Sequence, residues 1–165
     1  IINAIKKLID KGLDIKVLFL GSGPEFDKVQ QQVKEKELLN NIFLLGFKRN
    51  IPDYFAAADL IVHTSESEAS NSAIKEAGLL ETPVVVCENV GDFSDYIQQV
   101  VNGFLLSKDP KNAEVELTDI LERIYNRQYD LKAIGKNLKT TVLDRFSIDI
   151  IYPEYEKIHH ELKLN

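Results

Sequence analysis

The sequence is poor in cysteine, in positive charge and in long apolar runs, and each shortage excludes a class of protein. Cys87 is the only cysteine, so an intrachain disulfide framework and a cysteine-rich zinc site are ruled out, and a reducing compartment fits. Twenty Lys and Arg stand against 26 Asp and Glu, a formal net charge of −6. No field from the chain as a whole gathers polyphosphate or anionic membrane, and nucleic acid is demoted as a partner. The apolar stretches are broken by charges well short of the roughly 18 residues a membrane helix needs, and no basic-then-apolar leader opens the chain. The expectation is a cytoplasmic protein with no transmembrane segment. Methionine is also absent and the chain starts at Ile1 inside a helical pattern, which reads as a piece of a longer protein.

What is present is an ordinary globular composition: 165 residues, 44% apolar and 28% charged, enough for one domain with a real core. Ile2, Ile5, Leu8 and Ile9 recur at helical spacing before Gly12, predicting a first helix. Ile15 to Leu20 then reads as a strand, Gly21-Ser22-Gly23-Pro24 as a turn, and a helix with Pro24 in its first turn runs to about Leu39. The alternation repeats, with strands predicted at Ile42–Leu45, Leu60–His63, Val84–Val86 and Phe104–Leu106 and helices at Asn50–Ala58, Ser72–Leu80 and Phe93–Val100. Three helices close the chain, the first opened by Asp109-Pro110, the second spanning Asp130 to Arg145, the last starting at Ser147 and kinked at Pro153. Five short, nearly all-apolar strands alternating with helices imply a doubly wound, Rossmann-like parallel sheet covered on both faces. The expected domain is a single one over residues 1–165.

In such sheets ligands bind beyond the carboxyl ends of the strands. After the first strand, Gly21 and Gly23 permit close backbone approach ahead of a helix N-terminus, where free amides favour an anion. Phe26 stands where a dinucleotide fingerprint needs its next glycine and no Walker lysine follows, so neither of those nucleotide sites is supported. After the third strand the segment 64–77 is dense in hydroxyls and carboxylates. Asn71 or Ser70 suits the cap of the following helix. Glu76 projects onto the edge of that helix's apolar stripe, where a carboxylate either finds a partner such as a pair of ribose hydroxyls, pairs with a neighbouring lysine, or reaches solvent as an exposed helix-edge glutamate.

Glu68-x7-Glu76-Ala77, Thr82-Pro83-Val84-Val85-Val86, Gly91 and Asn102-Gly103-Phe104-Leu105-Leu106 together resemble the C-terminal, donor-binding half of retaining glycosyltransferases of the GT-B fold, family 4, also called glycosyl transferases group 1. Gly21-x-Gly23-Pro24, Leu44 to Phe47 and Ala57 to Leu60 are similar to earlier family elements, and the likeness runs from Ile1 to about Leu164. The resemblance implies a domain that binds a nucleotide-sugar donor, a UDP-sugar or GDP-sugar, without a metal or further cofactor. It implies Glu68 beside the donor sugar as the catalytic carboxylate and Glu76 on the ribose. Ser70, Asn71 and Ser72 would supply the diphosphate cradle, with Gly21 and Gly23 as the glycine turn and Phe47, Lys48 and Arg49 in the base-binding loop. The parent enzyme would extend a polysaccharide or glycolipid. The fragment alone would be inactive without its N-terminal acceptor domain, through which it would meet the inner face of the membrane. The last helix, 147–165, would pack back toward that domain.

Three departures accompany the likeness. Ala69 and Asn71 stand at glycine positions, and Asp92 follows Gly91 where a second glycine is usual, with Asp95 at a position commonly glutamate. The family's opening strand and its Arg/Lys pair would precede Ile1. That strand is central, so its absence predicts a slot between the first and third strands, closed directly or filled by pairing with another chain. Two alternatives remain: a nucleotide-sugar epimerase of GT-B architecture, and a degenerate, non-catalytic interaction module. His63 reads as a packed or hydrogen-bonded histidine. His159 and His160 diverge by about 100° on a helix and form no metal pair. No Asp-x-Asp metal motif is present.

Overall fold

The structure, a computed structural model, describes residues 1–163. In chain order the elements are α1 (Ile2–Asp10), β1 (Val17–Leu20), α2 (Phe26–Glu35), β2 (Ile42–Gly46), α3 (Ile51–Ala57), β3 (Ile61–His63), α4 (Ser72–Leu79), β4 (Val84–Cys87), α5 (Phe93–Tyr96), β5 (Phe104–Leu106), α6 (Pro110–Tyr125), α7 (Leu131–Phe146) and α8 (Ile148–Lys163). This is the expected α/β alternation. The residues gather into two compact units, one of Ile1–Tyr54 with Leu106–Tyr129 and one of Phe55–Leu105 with the segment from Asp130 on.

In the first unit β1 and β2 pair in parallel, Val17 opposite Ile42 and Leu20 opposite Gly46, with an irregularity between Phe19 and Leu20. Ile2, Ile5, Val33, Leu38 and Ile42 form the core, flanked by Val17, Phe19, Leu44 and Leu121. The polar rim of α1 is tied to α6, Lys7 to Glu114 and Lys11 to Glu122, each at 2.6 Å. In the second unit the sheet order is β3-β4-β5, and β3 pairs in parallel with β4, His63 opposite Val86. All four residues of β4 are buried, as a central strand covered on both faces must be. α4 lies against α7, and the approach requires Gly135: a Cβ there would stand 1.9 Å from the Glu81 carbonyl oxygen.

The five strands therefore lie in two sheets, β1-β2 and β3-β4-β5. Three boundaries differ from expectation, each because a side chain or turn takes over a backbone bond. β1 begins at Val17 instead of Ile15, because the Asn41 side-chain amide donates to the Ile15 carbonyl (3.0 Å) where a ladder bond would lie. α2 begins after Pro24, with Glu25 as its cap, and ends at Glu35, where Leu38 turns back to donate its amide to Val33. α5 stops at Tyr96 and not Val100, since Asn102 donates to the Tyr96 carbonyl (2.8 Å) and accepts from the Gln98 amide (2.7 Å). α8 continues past Pro153 and carries exposed Ile148, Tyr155, Ile158 and Leu162; residues 164 and 165 of the expected last helix lie outside the described residues. No helix among the described residues is long and apolar enough to cross a membrane.

Candidate functional site

The predicted site residues fall into two groups, one on each unit. On the first unit, the Gly21 amide donates to the Gly46 carbonyl at 2.9 Å, which sets the Gly21–Gly23 turn beside the start of the 46–50 loop at the carboxyl ends of β1 and β2. Gly21, Gly23 and Arg49 are exposed, Lys48 is half-buried and the Phe47 ring is 72% exposed. An aromatic side chain so open to solvent is available for stacking and contributes little to the core. Asn50 holds the loop's exit by donating to Asp53 Oδ2 at 3.0 Å.

On the second unit, Asn71 caps α4, its Oδ1 accepting from the Ile74 amide at 3.2 Å. That satisfies one of the orphan donors of the first turn, while the amides of Ser72 and Ala73 have no acceptor within the helix. His63, at the carboxyl end of β3, sets its Nε2 2.9 Å from Glu68 Oε1 and 3.2 Å from Asn71 Nδ2. The imidazole ring stands edge-on to buried Phe93, centroids 6.0 Å apart. The Glu68 carboxyl is held below the usual carboxylate range, chiefly by the hydrogen bond from His63, with Asn71 and Ser65 adding to it against the opposing effect of partial burial.

A second network adjoins the first through the same loop. Lys75 Nζ donates to Ser70 Oγ at 2.7 Å and to Asp92 Oδ2 at 2.8 Å, and Ser70 Oγ donates to the same Asp92 oxygen at 2.8 Å. The lysine also stands over the Phe146 ring at 4.4 Å and the Tyr96 ring at 5.3 Å, a cation–π arrangement that keeps its charge inside. Gly91 lets the two loops meet: a Cβ there would come within 3.0 Å of the Ala69 carbonyl oxygen and of Glu68 Cβ. Burial, with the Asp92 charge nearby, pushes the Tyr96 phenol well above its ordinary pKa. Asp92 Oδ1 and the Tyr96 hydroxyl are buried with no hydrogen-bond partner among the described residues.

The structure thus brings Glu68, Ser70 and Asn71 into one interlocked loop leading into α4, whose first residue, Ser72, is exposed. Glu76 takes the exposed helix-edge place, the alternative to a buried, partnered carboxylate. It is exposed and pairs with none of the described residues, because α4 turns Ile74, Ala77 and Gly78 inward instead, so no buried carboxylate awaits a partner there. Lys75 went unnoticed in the sequence: Asp92 stood out at a glycine position, but nothing local links residues 17 positions apart. Among the described residues no group of three His, Cys, Asp or Glu could hold a metal ion.

With this geometry in hand, the chain's kinship is clear. Residues 1–140 match the family described as glycosyl transferases group 1, and the chain belongs to it. It is 24% identical over 162 residues to the N-acetyl-alpha-D-glucosaminyl L-malate synthase of Bacillus anthracis, covering 98% of this chain and 41% of that protein. It is 23% identical to the poly(ribitol-phosphate) alpha-N-acetylglucosaminyltransferase of Staphylococcus aureus strain COL, over 94% of this chain and 31% of that one. Among solved structures it superposes on Anabaena Alr3699/HepE in complex with UDP, with a TM-score of 0.83, 26% identity and coverage of 97% of this chain and 44% of the other. The C-terminal domain of a group 1 glycosyl transferase from Francisella tularensis gives a TM-score of 0.75 at 22% identity, over 89% of this chain and 77% of that domain. The fold is the C-terminal half of the GT-B architecture. The chain spans about 40% or less of the length of these two curated relatives.

Proposed function

We propose that this chain is the donor domain of a retaining glycosyltransferase that takes a sugar from a UDP-sugar and passes it to a polysaccharide or glycolipid acceptor held by another domain, at the cytoplasmic face of the membrane. The observation that carries the reading is Glu68, hydrogen-bonded to His63 beside the Asn71-capped N-terminus of α4. Breaking a sugar–phosphate bond puts negative charge on the leaving diphosphate and positive character on the anomeric carbon. The first-turn amides of Ser72 and Ala73, which have no acceptor within the helix, aided by the helix dipole, would stabilise the first without reorganising. A fixed carboxylate at Glu68 stabilises the second. Exposed Glu76 would accept from the ribose hydroxyls, and Phe47, with Lys48 and Arg49, would face the base. UDP is favoured because the Anabaena relative, 26% identical, was solved in complex with UDP and with UDP-glucose.

The test is an amide NMR titration of the chain with UDP, GDP and ADP to millimolar concentration, with Glu76→Ala as control. Shifts at residues 21–23, 47–50 and 70–76 for UDP alone, abolished in the variant, are expected. Silence from all three nucleotides, persisting when the upstream part of the parent protein is restored, would transfer the reading to a non-catalytic module, which the replacement of glycine by Ala69, Asn71 and Asp92 favours.

A further inference from the structure

His63 is a strand residue whose ring serves a loop. Its backbone is locked opposite Val86 in the sheet, and its ring rests against Phe93, itself fully buried. Glu68, by contrast, lies in the segment between β3 and α4, with no ladder or helix of its own. A carboxylate on such a segment samples several rotamers unless a donor on a rigid element selects one.

The proton arrangement follows from the distances. One ring nitrogen cannot both donate and accept, yet His63 Nε2 has Glu68 Oε1 at 2.9 Å and Asn71 Nδ2 at 3.2 Å. Asn71 cannot be turned end for end, since its Oδ1 accepts from the Ile74 amide. If Nε2 were bare and accepted from Asn71, Glu68 would have to be a neutral acid donating to it. The donors around Glu68 hold that carboxyl below its ordinary range, so near neutral pH it has no proton to give. The remaining arrangement has Nε2–H donating to Glu68 and the Asn71 amide turned on the same carboxylate.

We propose that His63 is a positioning residue for the donor site: its Nε2–H, with Asn71, aims the Glu68 carboxylate at the donor sugar. The inference rests on the reading of Glu68 as the sugar-side carboxylate. It assigns His63 no contact with substrate. The imidazole acts through Glu68, so its loss should weaken interactions with the sugar and spare those with the nucleotide.

Two measurements on the chain test it. Imidazole nitrogen shifts of the unliganded protein should show His63 with its proton on Nε2 near pH 7.5, and Glu68→Gln should relax that preference. Affinities for UDP, UDP-glucose and UDP-N-acetylglucosamine then give the increment due to the sugar. His63→Leu, which keeps bulk and removes the donor, should cut that increment roughly tenfold, the scale of one hydrogen bond to a charged group, and leave UDP affinity unchanged. His63→Gln, whose amide nitrogen reaches the same point, should restore most of it. A proton found on Nδ1 alone, or equal loss of UDP and sugar-nucleotide affinity in His63→Leu, overturns the positioning role while Glu68→Gln still reports on the donor site. If the folded wild type gains no affinity from either sugar, Glu68 faces no donor and the reading of the site falls together with the inference.

Discussion

The two units carry comparable secondary structure and present their site residues in opposite ways. In the first, the glycine turn is held by a backbone bond to Gly46 and leads to a loop whose Phe47 and Arg49 side chains stand in solvent. In the second, Glu68 and Ser70 are held by side chains of several elements, His63 from β3, Asn71 and Lys75 from α4 and its cap, Asp92 from the loop after β4. The sheets differ in step. β4 is buried along its whole length, whereas Leu18 of β1 is 49% exposed. On the proposed reading the difference is apt: a surface that would stack a flat ring tolerates slack, and one that would set charge against a breaking bond requires fixed groups and therefore a dry, crowded scaffold.

The contrast can be broken most forcefully at glycines. Gly135→Ala should destabilise the second unit by about 3 kcal/mol or more, because the new methyl carbon would occupy the space of the Glu81 carbonyl. Gly23→Ala, with nothing within 4 Å of its Cβ, should change stability by less than about 0.5 kcal/mol. Urea unfolding of the two variants measures the difference directly.

Next in size is Lys75→Met. Its side chain and that of Asp92 are 16% and 20% exposed, so removing the lysine strands a largely buried carboxylate at a cost of about 3 kcal/mol. Adding Asp92→Asn should recover most of the loss, and a double-mutant cycle reads the coupling. The ion pair Lys7–Glu114 of the first unit, with side chains 51% and 28% exposed, should show a coupling below about 1 kcal/mol in the same experiment.

Acid sharpens the comparison further. Hydrogen bonds, from His63 and from Lys7 respectively, hold Glu68 and Glu114 below the ordinary carboxylate range in the folded protein. Each therefore contributes stability that is fully present above the unfolded carboxylate range and is lost as pH falls through the folded pKa. Glu68→Gln and Glu114→Gln should each flatten the decline of stability below about pH 4.5, followed by denaturant unfolding at stepped pH. The smallest effect belongs to Lys28, fully solvated beside Glu25 at 2.8 Å: Lys28→Ala should leave Tm unchanged within error.

Much of this was legible before any coordinates. Helices α3, α4, α6 and α7 and strands β2, β3 and β5 lie within a residue or so of where periodicity, caps and glycines put them, because those signals act within one or two turns of chain. The Asn71 cap and the Asp109 cap of α6 were readable for the same reason. At Ile15 an asparagine 26 positions on, Asn41, and at the end of α5 one six positions on from Tyr96, Asn102, supply the hydrogen bonds that local pattern assigned to a ladder or a helix. The sequence left Glu76 open between a partnered and an exposed place, because a helical projection finds the apolar stripe but not how far its edge turns outward once α4 packs.

By itself the sequence determined the α/β class, the order of elements, and the family to which residues 1–140 belong, since each depends on residue types at short, countable spacings. Only the tertiary structure decided that His63 serves Glu68 and that Lys75 and Asp92 form one pair holding Ser70. It also decided that the strands divide between two sheets. Those outcomes turn on how a loop folds back on its strand, as between His63 and Glu68 five positions apart, and on how elements pack, as between Lys75 and Asp92 seventeen apart, and neither is written in a periodic spacing.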